Sequence, residues 1–190
     1  MPQYYKVLNE KFNHYGFQYT LGLNVDVIDF NPCGDCEPGG FYYTDADHLV
    51  EFLYLGCYIA EIEVPADAKV YKSPRNNKWK ADKIVILSYR KFNDHPLFHD
   101  DRWCNLVVDF SASQIKLIPK QTRELCLKAV RRLGYALEFI GNQTEELCLE
   151  AVRHNGDALQ HVKTQTPAIC RAALDQNRYA VQYIKIPYVH

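Results

Sequence analysis

The chain has 190 residues, enough for one large domain or two small ones, and 47% of them are hydrophobic, which is ample for a buried core. Lys and Arg number 22 against 23 Asp and Glu, a formal charge of -1, so no global field draws the molecule to nucleic acid or to a membrane, and any such attraction has to be local. No run approaches the roughly 20 apolar residues of a spanning helix, Met1-Pro2-Gln3-Tyr4-Tyr5 lacks the blocks of a signal peptide, and the seven cysteines are odd in number, so we expect an unsecreted protein with reduced thiols.

In chain order, Tyr4 to Leu8, Gly40 to Thr44, Tyr58 to Val64 and Ile84 to Arg90 read as strands, being rich in aromatic and β-branched residues and bounded by turn formers. Between the second and third, Thr44-Asp-Ala-Asp47 predicts the cap of a helix whose apolar residues are Leu49, Val50, Phe52 and Leu53 and whose stop is Gly56. An α+β domain over residues 1–96 follows, with Asn93-Asp94-His95-Pro96 at its boundary.

Three segments of this half carry candidate chemistry. Cys33-Gly-Asp-Cys36 has the spacing of a redox or zinc half-site, but Glu37-Pro38-Gly39-Gly40 forbids the helix a redox pair needs, and further zinc ligands are dispersed over His14, His48 and Cys57; a polar turn is the better reading. Lys69 to Lys83 interleaves six cations with aromatics, so Lys72, Arg75, Lys78, Lys80 and Lys83 are candidate phosphate contacts and Trp79 a stacking platform for a base, against the alternative of a hairpin with a solvated charged face and Trp79 turned inward. The stretches Asn13 to Tyr19 and Pro38 to Thr44, where turn glycines bracket aromatic strands, are either aromatic core plus turns or the lining of a pocket.

The second half repeats. Gln121-Thr-Arg-Glu-Leu-Cys-Leu-Lys-Ala-Val, Gln143-Thr-Glu-Glu-Leu-Cys-Leu-Glu-Ala-Val and Gln165-Thr-Pro-Ala-Ile-Cys-Arg-Ala-Ala-Leu stand 22 residues apart. Thr122, Thr144 and Thr166 suit helix N-caps, Pro167 falls at a first helical position, and Leu125, Cys126, Ala129 and Val130 with their equivalents make one apolar face. Gly134 and Gly156 predict left-handed stops, after which Ala136-Leu137 with Ile140, and their equivalents, form second helices of about two turns. A worn copy precedes these, with Asp100 as cap, Cys104 in the cysteine column, and Val107, Val108, Ile115 and Ile118 at the matching apolar positions. The reading for residues 97–190 is an all-α solenoid of about four helix-turn-helix repeats, in which Cys104, Cys126, Cys148 and Cys170 fill one core column.

His14-Tyr-Gly-Phe-Gln-Tyr19, Pro38-Gly-Gly-Phe-Tyr-Tyr-Thr44, Ala60-Glu-Ile-Glu-Val-Pro65 and Lys78-Trp-Lys-Ala-Asp-Lys-Ile84 resemble an uncharacterised domain at the N-terminus of many ankyrin-repeat proteins of giant amoeba viruses. The unit with the Leu-Cys-Leu-x-Ala-Val core is similar to a short helical repeat of unknown function in the same viruses. The resemblance implies a mimivirus-like or marseillevirus-like origin and a place in the virion or in the infected cell, cytoplasm or nucleus, and it transfers no catalytic residue. The 22-residue unit is shorter than an ankyrin repeat and lacks its turn, so ankyrin partners are not borrowed. A weaker likeness in element order to ADP-ribosyltransferases names His14, Tyr43 and Glu61 or Glu63 as an imaginable site.

The expected function is a non-enzymatic interaction protein presenting its helical surface to a host or virion protein, with no catalytic residue, metal or cofactor and no membrane contact. One alternative is nucleic-acid binding through the Lys69 to Lys83 segment, helped by Lys128, Arg131, Arg132 and Arg153; another is a degenerate ADP-ribosyltransferase-like domain. Tyr179, Tyr183 and Tyr188 make the last repeat apolar where a polar cap is expected, which favours self-association.

Overall fold

Tyr4–Leu8 alternates two faces and forms β1, at the edge of an antiparallel sheet ordered β1-β6-β9-β4, with β4 at Gly22–Val25, β6 at Tyr58–Glu63 and β9 at Lys83–Lys91. The computed structural model describes residues 4–33 and 37–185, and the chain divides into two compact units, Met1–His95 and Pro96–His190. Lys6 of β1 faces Ala60 of β6, and a register shift between Glu61 and Ile62 bends β6 against β9.

A second antiparallel sheet has the order β5-β8-β7, with β5 at Phe41–Tyr43, β7 at Val70–Lys72 and β8 at Trp79–Ala81, and Thr44 pairs with Tyr5 beside it. Leu8, Ala60, Ile62, Ile84 and Ile86 from the first sheet meet Phe41, Tyr43 and Ala81 from the second in one buried cluster. All four predicted strands form, with ends shifted by a residue or two. The basic stretch makes the β7–β8 hairpin, β4 was not foreseen, and the short hairpin of β2 (Asn13–His14) and β3 (Phe17–Gln18) forms within the stretch Asn13 to Tyr19, where the sequence places aromatic strand about a turn glycine.

The predicted α-helix after Thr44 is instead a 3-10 helix, Leu49–Leu55, and its cap differs. The Thr44 hydroxyl donates to the Asn77 carbonyl at 2.6 Å, whereas Asp45 accepts from the His48 amide at 3.0 Å. Gly56 is extended at φ -175°, and its role is space: a Cβ there would lie 2.1 Å from the Leu8 carbonyl oxygen.

In the second unit, α1 (Asp101–Phe110), α2 (Arg123–Arg132), α3 (Glu145–His154) and α4 (Pro167–Gln176) have ten residues each and begin 22 residues apart. Asp100, Thr122, Thr144 and Thr166 cap them, accepting from Trp103, Leu125, Leu147 and Ile169 amides at 2.7, 3.3, 3.3 and 3.3 Å. The four cysteines Cys104, Cys126, Cys148 and Cys170 are all buried, and so are the alanines of α2, α3 and α4 three residues further on.

Each α-helix is followed by a six-residue 3-10 helix, at Ala112–Leu117, Gly134–Phe139, Gly156–His161 and Arg178–Tyr183. Two 3-10 turns take six residues, which is why these segments are shorter than α-helices of the same turn count. Successive α-helices pack on one another, and each of α2, α3 and α4 also packs on the 3-10 helix before it. Gly134 and Gly156 are not left-handed stops; neither has positive φ. Each opens its 3-10 helix against the next α-helix, where a Cβ would lie 2.7 Å from the Ala151 oxygen or 2.6 Å from that of Ala173.

Candidate functional site

A cleft in the first unit is lined by β1, the β2–β3 hairpin and β5, with Lys6, His14, Tyr43, Thr44 and Lys78 among its residues. Its volume is about 50 Å³. Tyr4, Lys6 and Leu8 share the core-facing side of β1, so the Lys6 chain runs inward and is only 5% exposed. Its ammonium donates to the Tyr42 carbonyl at 2.7 Å and sits 4.9 Å from the Tyr19 ring centroid. Burial pulls its pKa down to about 7, because the charged form loses more hydration than these neutral partners return.

His14 is held at the cleft by a two-residue turn in which Tyr15 (φ 49°) and Gly16 (φ 81°) are both left-handed, the signature of a type I′ hairpin. Its imidazole pKa is lowered, first by burial and then by the Lys6 charge. Two more lysines flank Tyr42: the ammonium groups of Lys78 and Lys80 lie 4.5 and 4.9 Å from its ring centroid. Lys80 is fully buried and donates to the Asn31 and Glu37 carbonyls at 2.9 and 3.2 Å, tying down the loop that precedes β5. Gly40 is glycine because its φ is 128° and the Lys80 chain passes 2.6 Å from where a Cβ would be.

The basic stretch is therefore not one solvated face. Lys78 and Lys80 point inward, Lys72 lies over the Trp79 ring at 5.0 Å, Lys83 pairs with Asp67 at 2.6 Å, and Arg75 is exposed in the turn. Trp79 itself packs on Tyr4 and stacks on Tyr43, with ring centroids 5.5 and 6.1 Å apart. Alternation along β8 sends neighbouring residues to opposite sides, which a linear reading of charge density does not capture.

The His14, Tyr43 and glutamate grouping does not assemble. His14 and Tyr43 both line the cleft, but no carboxylate does among its described residues. Glu61 is turned to His95, 3.8 Å away, and Glu63 is exposed at the end of β6. Cys33 is exposed, Cys36 lies outside the described residues, and among the described residues no three His, Cys, Asp or Glu side chains gather as metal ligands.

In the second unit three of the four remaining candidate cations are drawn into bonds between neighbouring helices. Lys128 meets Asp109 at 2.7 Å and the Asn105 side chain at 2.9 Å, Arg131 meets Glu150 at 2.8 Å, and Arg132 donates to the Asp109 carbonyl at 2.6 Å. Arg153 is exposed and lines an open groove of about 700 Å³ on α3 and α4, with Leu149, Ala168, Arg171, Ala172 and Asp175. Tyr179 and Val181 are 64% and 60% exposed, although the positions equivalent to Val181, namely Ile115, Leu137 and Leu159, are fully buried. Tyr183 is half-buried, and Tyr188 lies outside the described residues.

The residues that tie the units together are the glutamines, which the sequence showed only as recurring letters. Gln143 donates to the Leu137 and His161 carbonyls at 2.9 and 3.0 Å and accepts from the Lys163 amide at 3.0 Å. Gln121 and Gln165 make the equivalent bonds, to Ile115, Phe139 and Gly141 and to Leu159, Tyr183 and Lys185. Their only sequence signal is an invariant amide one residue before each threonine cap.

Among the described residues no helix is long and apolar enough to cross a membrane. A domain of unknown function, DUF4116, matches residues 122–166, which run from the cap of α2 to the cap of α4. The putative ankyrin repeat protein R868 of Acanthamoeba polyphaga mimivirus is 34% identical over 96 residues, 48% of this chain and 48% of its own length. The putative ankyrin repeat protein R229 of the same virus is 32% identical over 92 residues, 45% of this chain and 30% of its own. The uncharacterized protein R869, also from that virus, is 35% identical over 92 residues, 47% of this chain and 67% of its own. The matches thus span about half of the first of these relatives and less of the second. No solved structure matches the chain significantly. With two thirds of one mimivirus protein covered at this identity, the chain belongs to the giant-virus family that R869 represents.

Proposed function

We propose that the chain is a non-enzymatic interaction protein whose C-terminal half, a solenoid of four 22-residue units, presents its outer helical surface to a protein of the virion or of the infected cell. The observation that carries this reading is the open groove on α3 and α4, where Leu149, Ala168 and Ala172 lie between Arg153, Arg171 and Asp175. Everything behind it is already satisfied: the cysteine column is buried and the glutamines hold the units in register. Stacked repeats create extended surfaces of this kind, ankyrin arrays among them, and the relatives' names as putative ankyrin repeat proteins fit such a role.

The two arginines against one aspartate suit a partner helix with an apolar face and an acidic flank. Capture from infected-cell lysate by the full chain should yield a stoichiometric protein partner that an Arg153→Glu, Arg171→Glu double variant loses while keeping its helical circular dichroism. Equal capture by both proteins, or none by either, removes the reading. Uncovered Val181 and Tyr179 support self-association as part of the same surface chemistry, which light scattering measures directly. The nucleic-acid alternative has less support, since Lys78 and Lys80 face inward and Lys128, Arg131 and Arg132 are engaged with neighbours.

A further inference from the structure

A strand at the edge of a sheet leaves alternate N–H and C=O groups unpaired, and natural edges are covered or guarded by charge or proline. Three of the edges in the first unit have such a device. Tyr5 and Thr44 exchange backbone bonds at 2.7 and 2.9 Å, so the outer side of β1 and the end of β5 cover one another. The edge strand β7 carries Lys72, with Lys69 just before it. On β4 the stretch from Leu21 to Ile28 holds no Lys, Arg or Pro. Its single charge, Asp26, is drawn back: the carboxylate oxygens accept from the Ile28 and Gly40 amides at 3.0 and 2.7 Å.

The ladder with β9 tells which groups of β4 point outward. Gly22 stands opposite Ile86 and Asn24 opposite Ile84, and at the next position of that register the Asp26 N–H donates to the Asp82 carbonyl at 2.9 Å. Bonded and non-bonded pairs alternate in an antiparallel ladder, so Gly22, Asn24 and Asp26 turn their backbone groups to β9 while Leu23 and Val25 turn theirs to the open edge. The side chains follow the same alternation. Asn24 is buried and bonded to the Thr20 backbone, whereas Leu23 and Val25 are 58% and 50% exposed, with Val27 at 91% just beyond. Exposed aliphatic side chains beside unpaired backbone call for another strand rather than a helix.

The self-complementarity of β4 selects its partner. Turned about a two-fold axis at Asn24, the strand sets Leu23 opposite Val25 of the second copy and Val25 opposite Leu23, each pair exchanging both N–H···O bonds. Aliphatic side chains then meet across the new ladder on one face, and Asp26 falls opposite Gly22, so no charge meets a like charge. We propose that two copies of this chain pair through β4, antiparallel about Asn24, joining their four-stranded sheets into one. With only four residues in β4 the association is weak, and it is independent of the groove on α3 and α4 and of the exposed Val181.

Sedimentation equilibrium of the full chain from micromolar to millimolar concentration, with amide hydrogen exchange read by NMR at both ends of that range, provides the test. The mass should rise from one chain towards two. Exchange of the Leu23 and Val25 amides should slow by about tenfold or more in the dimer, while that of Asn24, already bonded to β9, should change less. Val25→Lys sets an ammonium against Leu23 of the second copy and should weaken association by about tenfold or more, whereas Val181→Lys should leave it unchanged. A monomer at every concentration overturns the pairing. So does a dimer whose Leu23 and Val25 amides exchange as fast as in the monomer, or one that Val181→Lys breaks and Val25→Lys leaves intact.

Discussion

Lys6 sets a measurable pH dependence. Folded, it holds its proton with a pKa of about 7 against the ordinary 10.5 of the unfolded chain, so between these values the unfolded state binds more protons. The free energy of unfolding therefore rises as pH increases from about 7 to about 10.5, and below pH 7 the whole cost of the buried charge is present, on the order of several kcal/mol. Lys6→Met should unfold at a higher temperature than wild type at pH 6.5, and the gap should shrink by pH 10. A gap of the same size at both values would mean that the ammonium is not desolvated. Tyr15 offers a second residue-level test, since a bulky side chain at φ 49° costs roughly 1–2 kcal/mol. Its ring contact with His14, 4.2 Å between centroids, returns part of that. Tyr15→Asn, which tolerates this conformation, should raise stability by about 0.5–1 kcal/mol in urea unfolding; a loss would show that the ring contact outweighs the backbone.

At the scale of elements, adjacent residues in one repeat separate two kinds of contribution. Thr144 satisfies one amide at the start of α3, and losing such a cap costs about 1 kcal/mol. Gln143 bonds two carbonyls and one amide drawn from segments 6, 18 and 20 residues away; the Leu137 carbonyl also accepts from the Ile140 amide, so Gln143→Ala leaves the His161 carbonyl and the Lys163 amide short of a partner and should cost about 2–3 kcal/mol. Urea midpoints that rank Thr144→Ala as the more damaging would contradict the clamp. The two residues also mark what was legible beforehand. A cap acts on its own helix, so Thr144 could be read from the sequence that follows it, whereas the partners of Gln143 lie beyond any local window. Distance along the chain hid the role of Gly134 and Gly156 in the same way, because the atoms that forbid a Cβ belong to Ala151 and Ala173 in the next unit. The pairing of β2 with β3 was hidden for a different reason: its two-residue turn carries tyrosine where asparagine is the usual signal.

Across the whole molecule, periodicity was the reliable guide and charge density was not. Leu125, Cys126, Ala129 and Val130 recur because each must fill the same slot, and their equivalents are buried in every unit except for Leu174 of the last, which is half-buried. The cations of residues 69 to 83 look like a basic patch in one dimension, yet the β7–β8 hairpin sends Lys80 into the interior and Lys72 over Trp79. The cysteine column gives the sharpest test of the repeat. Burial raises the thiol pKa of Cys126, Cys148 and Cys170 and takes that of Cys104 up to about 11, so at pH 8 these groups stay protonated as well as enclosed. Cys33 is exposed and Cys57 half-buried with a raised pKa of its own. In a Cys36→Ser background, a disulfide reagent at pH 8 should therefore modify Cys33 quickly and Cys57 slowly, leaving Cys104, Cys126, Cys148 and Cys170 intact in the native state. Those four should react together as urea unfolds the helices, at a rate that follows the loss of helical circular dichroism, because each thiol is reached only when its neighbouring units separate. More than two reactive thiols in native buffer would mean that the column is open to solvent, and the stacked surface proposed for partner binding would lose its support.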